Sequence, residues 1–216
     1  MSQNKIIRVD KDRPDSHIID QAAGLLDTGG LVIFPAACLY GVAANALSAD
    51  AVEKVFQLKQ RPRHNPILVL IKNTNQLNAL VATIPDEARR LMDEFWPGGL
   101  TLVFDAGHRV NSKLTAGKKK LGIRLPRHPV AKALVSSVDY PVTGTSANLS
   151  GQPGCTQTDM LSPEIIEKTD LVLDAGLVQG GTGSTVVDVT CTPPKILRQG
   201  AIPAADIYAC LRAADG

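Results

Sequence analysis

Across residues 15–27 apolar side chains return every three or four positions, at Ile18, Ile19, Ala22, Ala23, Leu25 and Leu26, and Gly29 follows as a stop. That spacing predicts an amphipathic helix with one buried face. Residues 31–34 are instead continuously apolar, the pattern of a short strand covered on both sides. Ser48 stands as the N-cap of a second helix, in which Val52, Val55 and Phe56 share a face with Lys59 near the helix end. Further helices are predicted at 85–95, 129–138 and 163–168 and close to the C-terminus. Strands are predicted at 67–71, 100–104, 121–125, 141–145, 171–174, 185–189 and 196–198. In the third of these, Leu121, Ile123 and Leu125 share one side, and Gly122 and Arg124 the other.

About eight strands among five or six helices indicate α/β (α+β) architecture. Several strands follow one another directly, so the expected sheet is mixed and twisted, flanked by helices, and not doubly wound and parallel. No repeat or linker interrupts the chain, and residues 1–216 read as a single domain. One stretch, 28–49, has no charge and could span a bilayer by length alone. Gly29, Gly30, Pro35, Gly41, Asn45 and Ser48 break it into short apolar runs, so a buried strand and loop are expected instead.

Charge and cysteine content narrow the function classes. Lys and Arg number 23 against 21 Asp and Glu, so any anion site must be local. Cys38, Cys155, Cys191 and Cys210 form no C-x-x-C pair. They therefore suggest neither a zinc knuckle nor a disulfide scaffold, and no metal ligands are assigned. The amino-terminal residues are polar and lack the apolar core of a signal peptide, which together with the cysteines implies a reducing cytoplasm.

Common catalytic motifs are absent: there is no G-x-x-x-x-G-K-[ST], no G-x-S-x-G and no H-E-x-x-H. Gly180, Gly181 and Gly183 lack the lysine of a phosphate loop and read as a flexible connection. Basic or small polar residues do stand beside apolar elements, in LKQRPRHNP, IRLPRHP, TGTSANLSG and ILRQG. Lys59, Arg61, Arg63, Arg124, Arg127 and Arg198 could converge on a polyanion. Solvated helix ends and strand edges would account for the same residues, and spacing alone leaves both readings open. The Lys118–Lys119–Lys120 run reads as a solvated loop.

These segments resemble the YrdC-like family of threonylcarbamoyl-AMP synthases. The resemblance covers roughly residues 31–200, in the family's order. It comprises Lys-x-Arg as Lys59 and Arg61, WPGGLTLV at 96–103, GIRLPRHP at 122–129, Ser-x-Asn as Ser146 and Asn148, STVVD at 184–188 and ILRQG at 196–200. It implies a twisted, mostly open α/β sheet around a large basic cavity, and an enzyme that joins L-threonine, bicarbonate and ATP into threonylcarbamoyl-AMP and pyrophosphate. That product serves tRNA modification to N6-threonylcarbamoyladenosine. By the same resemblance Lys59, Arg61, Ser146 and Asn148 are catalytic and bind the nucleotide phosphates, Arg198 adds a phosphate contact, and Mg2+ is a counter-charge. Arg124, Cys38, Tyr40 and Ser146 line the amino-acid end, with Arg124 on the carboxylate. The short chain resembles the family's single-domain type, which implies separate proteins that transfer the threonylcarbamoyl group to tRNA, and no membrane.

One segment departs from the family. Where relatives carry Pro-Thr-Asp-Thr, this chain has Pro35, Ala36, Ala37 and Cys38, so three polar groups are missing at the amino-acid end. A paralogue acting on another amino acid, and an RNA-binding or ribosome-associated module with weak RNA contacts, are the rival readings. The aromatic content of 4% speaks against base stacking.

Overall fold

In the computed structural model, which describes residues 5–212, the chain runs β1 (Ile6–Arg8), α1 (Ser16–Asp27), β2 (Val32–Pro35), β3 (Tyr40–Ala43) and α2 (Ala49–Lys59). It continues through β4 (Val69–Leu70), α3 (Leu77–Leu80), α4 (Asp86–Phe95), β5 (Leu100–Asp105), β6 (Lys120–Arg124) and α5 (Pro129–Ser136). The last elements are β7 (Val142–Thr143), β8 (Thr145–Ser146), α6 (Pro163–Glu167), β9 (Leu171–Asp174), β10 (Thr185–Asp188), β11 (Lys195–Arg198) and α7 (Ala204–Arg212).

The strands form two mixed sheets where the sequence pattern suggests one. Five are ordered β1-β9-β2-β3-β8 and six β11-β10-β5-β6-β4-β7. Strand alternation explains how both faces fill. Val32, Phe34, Leu171 and Leu173 pack with Ile19, Ala22 and Leu26 of α1 and with Val130 and Leu134 of α5. Ile33 and Val172, one residue out of step, face the other way into a core with Val52, Val55 and Phe56 of α2 and Leu91 of α4.

Local chemistry sets the helix ends. The Ser48 side chain accepts from the Ala51 N–H at 3.2 Å, as its N-cap position predicts, and α2 stops where Gln60 turns left-handed at φ 48°. Three strand segments lie outside the sequence pattern. β1 is a partly exposed edge, β3 contains Gly41, and β8 is two residues long, so none has a clear apolar period.

Gly144 marks one passage between the sheets. Before it, β7 pairs with β4; after it, β8 pairs with β3, with Ser146 opposite Gly41. A Cβ on Gly144 would lie 2.6 Å from Leu68 Cδ1 and 2.9 Å from Leu70 Cγ, so a larger residue there would have to push these leucine side chains aside. No helix of the described residues is long and apolar enough to cross a membrane, and the uncharged stretch holds β2, β3 and their loops.

Candidate active site

A cavity of about 470 Å3 lies where the chain passes between the sheets. Each passage contributes wall: Arg61, Pro66 and Ile67 between α2 and β4, Gly144 to Ser146 at the β7–β8 crossing, and Thr182 to Ser184 between β9 and β10. The volume falls within the range of small-molecule sites. Arg61, Lys118, Lys120, Arg124 and Arg198 line it, with no carboxylate among the described lining residues.

The balance of these charges sets the character of the cavity. Lys120 is neutralised, since its Nζ donates to Asp188 Oδ2 at 2.7 Å and to Thr190 Oγ1 at 2.6 Å. The others form no ion pair among the described residues. Arg61 donates to the carbonyls of Asn65 at 3.1 Å and Pro66 at 2.9 Å, and Arg198 donates to the Ser184 carbonyl at 2.8 Å. Carbonyls fix a guanidinium in place without cancelling its charge. Arg124 goes further, because its Nε is buried without any hydrogen-bond partner among the described residues. Burial, joined by the neighbouring Arg198 charge and opposed by Cys38, lowers its pKa from the usual arginine value. An unpaired buried donor beside a second cation is a costly arrangement that an anionic ligand would relieve.

Lys59 and Asn148 are brought together, but behind the wall and not on it. Lys59, 1% exposed, extends from the last turn of α2 and donates to the Ser146 carbonyl, to the Asn148 carbonyl at 2.6 Å and to Asn148 Oδ1 at 3.4 Å. Its own carbonyl accepts from the Ser150 N–H at 2.8 Å. Burial, reinforced by the Arg61 charge, lowers the ammonium to about 8. The Asn148 amide is equally committed, donating to Leu149 O at 2.8 Å and Gln152 O at 2.7 Å. The two residues hold the 146–150 loop in shape, and Ser146 is the member of that loop that reaches the cavity.

The remaining sequence candidates divide similarly. Arg61, Arg124, Ser146, Arg198 and Cys38 line the cavity, and so does Tyr40. The Tyr40 hydroxyl, however, donates to the Gly176 carbonyl at 2.7 Å and accepts from the Ala175 N–H at 3.1 Å. Burial pushes it up to about 12, against the Ala175 hydrogen bond, so it is a neutral structural tie to the end of β9. Of the lysine run, read as solvated, Lys118 and Lys119 are exposed, though Lys118 stands at the cavity's edge, and Lys120 lines the cavity because β6 begins there and pairs with β5 opposite Asp105. Thr101, Thr182 and Ser184 also line it. Thr101 lies within the WPGGLTLV segment and Ser184 opens STVVD, but neither segment singles out its hydroxyl, and Thr182 belongs to none. Among the described residues no group of three or more His, Cys, Asp or Glu could hold a metal ion.

The Sua5/YciO/YrdC family model, described as "Telomere recombination", matches residues 24–200. A curated threonylcarbamoyl-AMP synthase from Pyrococcus abyssi is 37% identical over 197 residues, 91% of this chain and 58% of that protein. The crystal structure of P. abyssi Sua5 complexed with L-threonine matches with a TM-score of 0.89 at 37% identity, over 95% of this chain and 60% of that one. The crystal structure of E. coli YciO matches with a TM-score of 0.81 at 25% identity, over 94% of this chain and 98% of that one. The chain thus spans a little over half the length of the curated P. abyssi, Bacillus subtilis and Schizosaccharomyces pombe relatives. With the family model covering all three chain passages that wall the cavity, this chain belongs to the Sua5/YciO/YrdC family.

Proposed function

We propose that this chain is an L-threonylcarbamoyl-AMP synthase, a nucleotidyltransferase that forms threonylcarbamoyl-AMP and pyrophosphate from L-threonine, bicarbonate and ATP. The observation that carries the reading is the set of cations in one cavity that form no ion pair among the described residues, Arg124 above all, whose buried Nε has no partner among them. The P. abyssi relatives, one named for this reaction and one holding L-threonine, supply the substrate class.

In this reading the threonine amine and bicarbonate condense to a carbamate with loss of water. A carbamate oxygen attacks the α-phosphorus of ATP, the α–β bridging bond breaks, and the electron pair leaves on pyrophosphate. The protein contributes position and charge, because phosphoryl-type transfer requires chiefly alignment and stabilisation of oxygens. Arg124 grips the threonine carboxylate bidentately, while Arg61, Arg198 and Ser146 face the phosphates. Lys59 and Asn148 act through the loop that presents Ser146. Magnesium accompanies ATP as its counter-charge: with no carboxylate in the described lining, the protein offers the ion no ligand of the usual kind, and no step is assigned to it.

The product serves N6-threonylcarbamoyladenosine formation in tRNA, completed by separate transfer proteins in the cytoplasm. Mass spectrometry of the products formed from ATP, magnesium, bicarbonate and each of threonine, serine and glycine tests the reading. A threonine-dependent adenylate with stoichiometric pyrophosphate supports it. Product with serine or glycine but not threonine would identify a paralogue, and RNA retention without any adenylate would replace the enzyme by a binding module.

A further inference from the structure

Of the four cysteines, Cys38 is the one that lines the cavity. The Cys155 thiol is buried and donates to the carbonyls of Ala147 at 3.4 Å and Met160 at 3.3 Å. Those of Cys191 and Cys210 donate to Asp188 O and Arg90 O, each at 3.7 Å. The Cys38 thiol has no hydrogen-bond partner among the described residues, yet its backbone is firmly placed. It sits in the short connection from β2 to β3, closed by Ala36 N–H donating to Leu39 O at 3.1 Å. Its carbonyl accepts from the Gly180 N–H at 3.0 Å. The thiol is therefore held at the wall of a cationic pocket that small molecules can enter.

A second observation points to what would come to it. Arg124 lines the same cavity with a buried Nε that has no hydrogen-bond partner among the described residues, and Arg198 lines it with Cys38. A guanidinium with an open donor can bind a carboxylate.

We propose that Cys38 is a site of thiol–disulfide exchange with small anionic disulfides, whose carboxylates are drawn to Arg124 and Arg198, and that the resulting mixed disulfide closes the cavity. The Cys38 proton passes to solvent and the thiolate attacks one sulfur of the disulfide. The incoming S–S bond breaks as the protein–S–S bond forms, and the other half leaves as a thiolate. The protein sulfur is oxidised and the departing half reduced by the same electron pair, so no further oxidant is needed.

The proposal stands apart from the adenylation chemistry, and its test reads thiol reaction and anion binding, not turnover. The Cys191→Ser variant removes the exposed competing thiol. Its reaction with dithiobis(nitrobenzoate), a dianionic disulfide, is compared with that of neutral dithiodipyridine, and peptide mass spectrometry locates the adduct. Expected are first modification at Cys38 and an anionic-over-neutral rate ratio at least about tenfold above that of free cysteine. The ratio should fall as salt is added. Inorganic pyrophosphate should slow the reaction, the modified protein should lose pyrophosphate binding, and dithiothreitol should restore it. Arg124→Gln, with folding checked by thermal melting, should abolish the anionic preference. Should that variant not fold, the salt response and pyrophosphate protection of Cys191→Ser decide. Modification at Cys155 or Cys210 ahead of Cys38, a rate ratio equal to that of free cysteine, or unaltered pyrophosphate binding after modification would overturn the proposal.

Discussion

Lys59 Nζ lies 2.6 Å from the Asn148 carbonyl oxygen and 3.4 Å from Asn148 Oδ1, and the contact closes a loop whose Ser146 faces the cavity. The lysine of the Lys-x-Arg pair and the asparagine of the Ser-x-Asn pair thus act on each other. Lys59→Ala would delete a long buried side chain and leave carbonyls unpaired. The loss is about 2–5 kcal/mol by comparison with other large-to-small core changes, or a Tm lower by at least about 4 °C for a chain of this size. Pyrophosphate release should fall at least about 100-fold as Ser146 shifts. Thermal melts and a pyrophosphate assay check both. Near-native turnover in a folded variant would remove Lys59 and its loop from the reaction.

Lys59 also sets a pH dependence of definite sign. Burial, with the Arg61 charge second, holds its ammonium at about 8 in the folded chain, below the unfolded lysine value. Between about 8 and about 10.4 the unfolded state binds more protons, so this group makes the unfolding free energy rise with pH. Below about 8 both states are charged and the folded one carries the whole burial cost. The stability of the wild type minus that of Lys59→Met, from urea unfolding across that window, should therefore increase with pH. A flat or falling difference would show that the carbonyls around Nζ outweigh its burial.

The sequence shows the main elements because their apolar periods are strong, as in α1 and β2. It also places Lys59 on the apolar side of α2, where the structure finds it buried. It does not show that Lys59 spends its donors on carbonyls, because backbone positions 146 and 148 carry no side-chain pattern. The division into two sheets depends on the crossing at Gly144, a close approach to Leu68 and Leu70 that a lone glycine does not announce. Lys120 is legible as charge but not as lining, since its place at the start of β6, opposite Asp105 of β5, depends on strand register and not on composition.

The glycine of ILRQG has a packing role that a conservative change would expose. A Cβ at Gly200 would stand 2.5 Å from the Ser184 carbonyl oxygen and 2.6 Å from that of Gly183, both backbone atoms. The Ser184 carbonyl anchors Arg198, so the clash reaches the cavity. Gly200→Ala should cost about 1–3 kcal/mol of stability, as overpacking commonly does, and should raise the KM for ATP. An unchanged Tm together with an unchanged KM would show that the segment yields without moving Ser184.

Arg124 offers the sharpest separation between the two proposed substrates, threonine and ATP. Among the described residues its buried Nε has no partner and no acid pairs with it, and burial lowers its pKa. A ligand carboxylate would satisfy the fork, and a hydrogen bond to a charged group contributes about 1.5–3 kcal/mol, or roughly 10- to 150-fold in affinity. Arg124→Gln keeps a donor and most of the volume while removing the charge, so folding should be retained and the buried cost of the cation relieved. The KM for threonine should rise within that range while the KM for ATP changes less than about threefold. Steady-state pyrophosphate release, titrated with each substrate in turn, makes the comparison. A rise confined to ATP would move Arg124 to the phosphates and leave the amino-acid carboxylate to Arg61 or Arg198. An equal rise for both substrates would mean that Arg124 shapes the cavity as a whole.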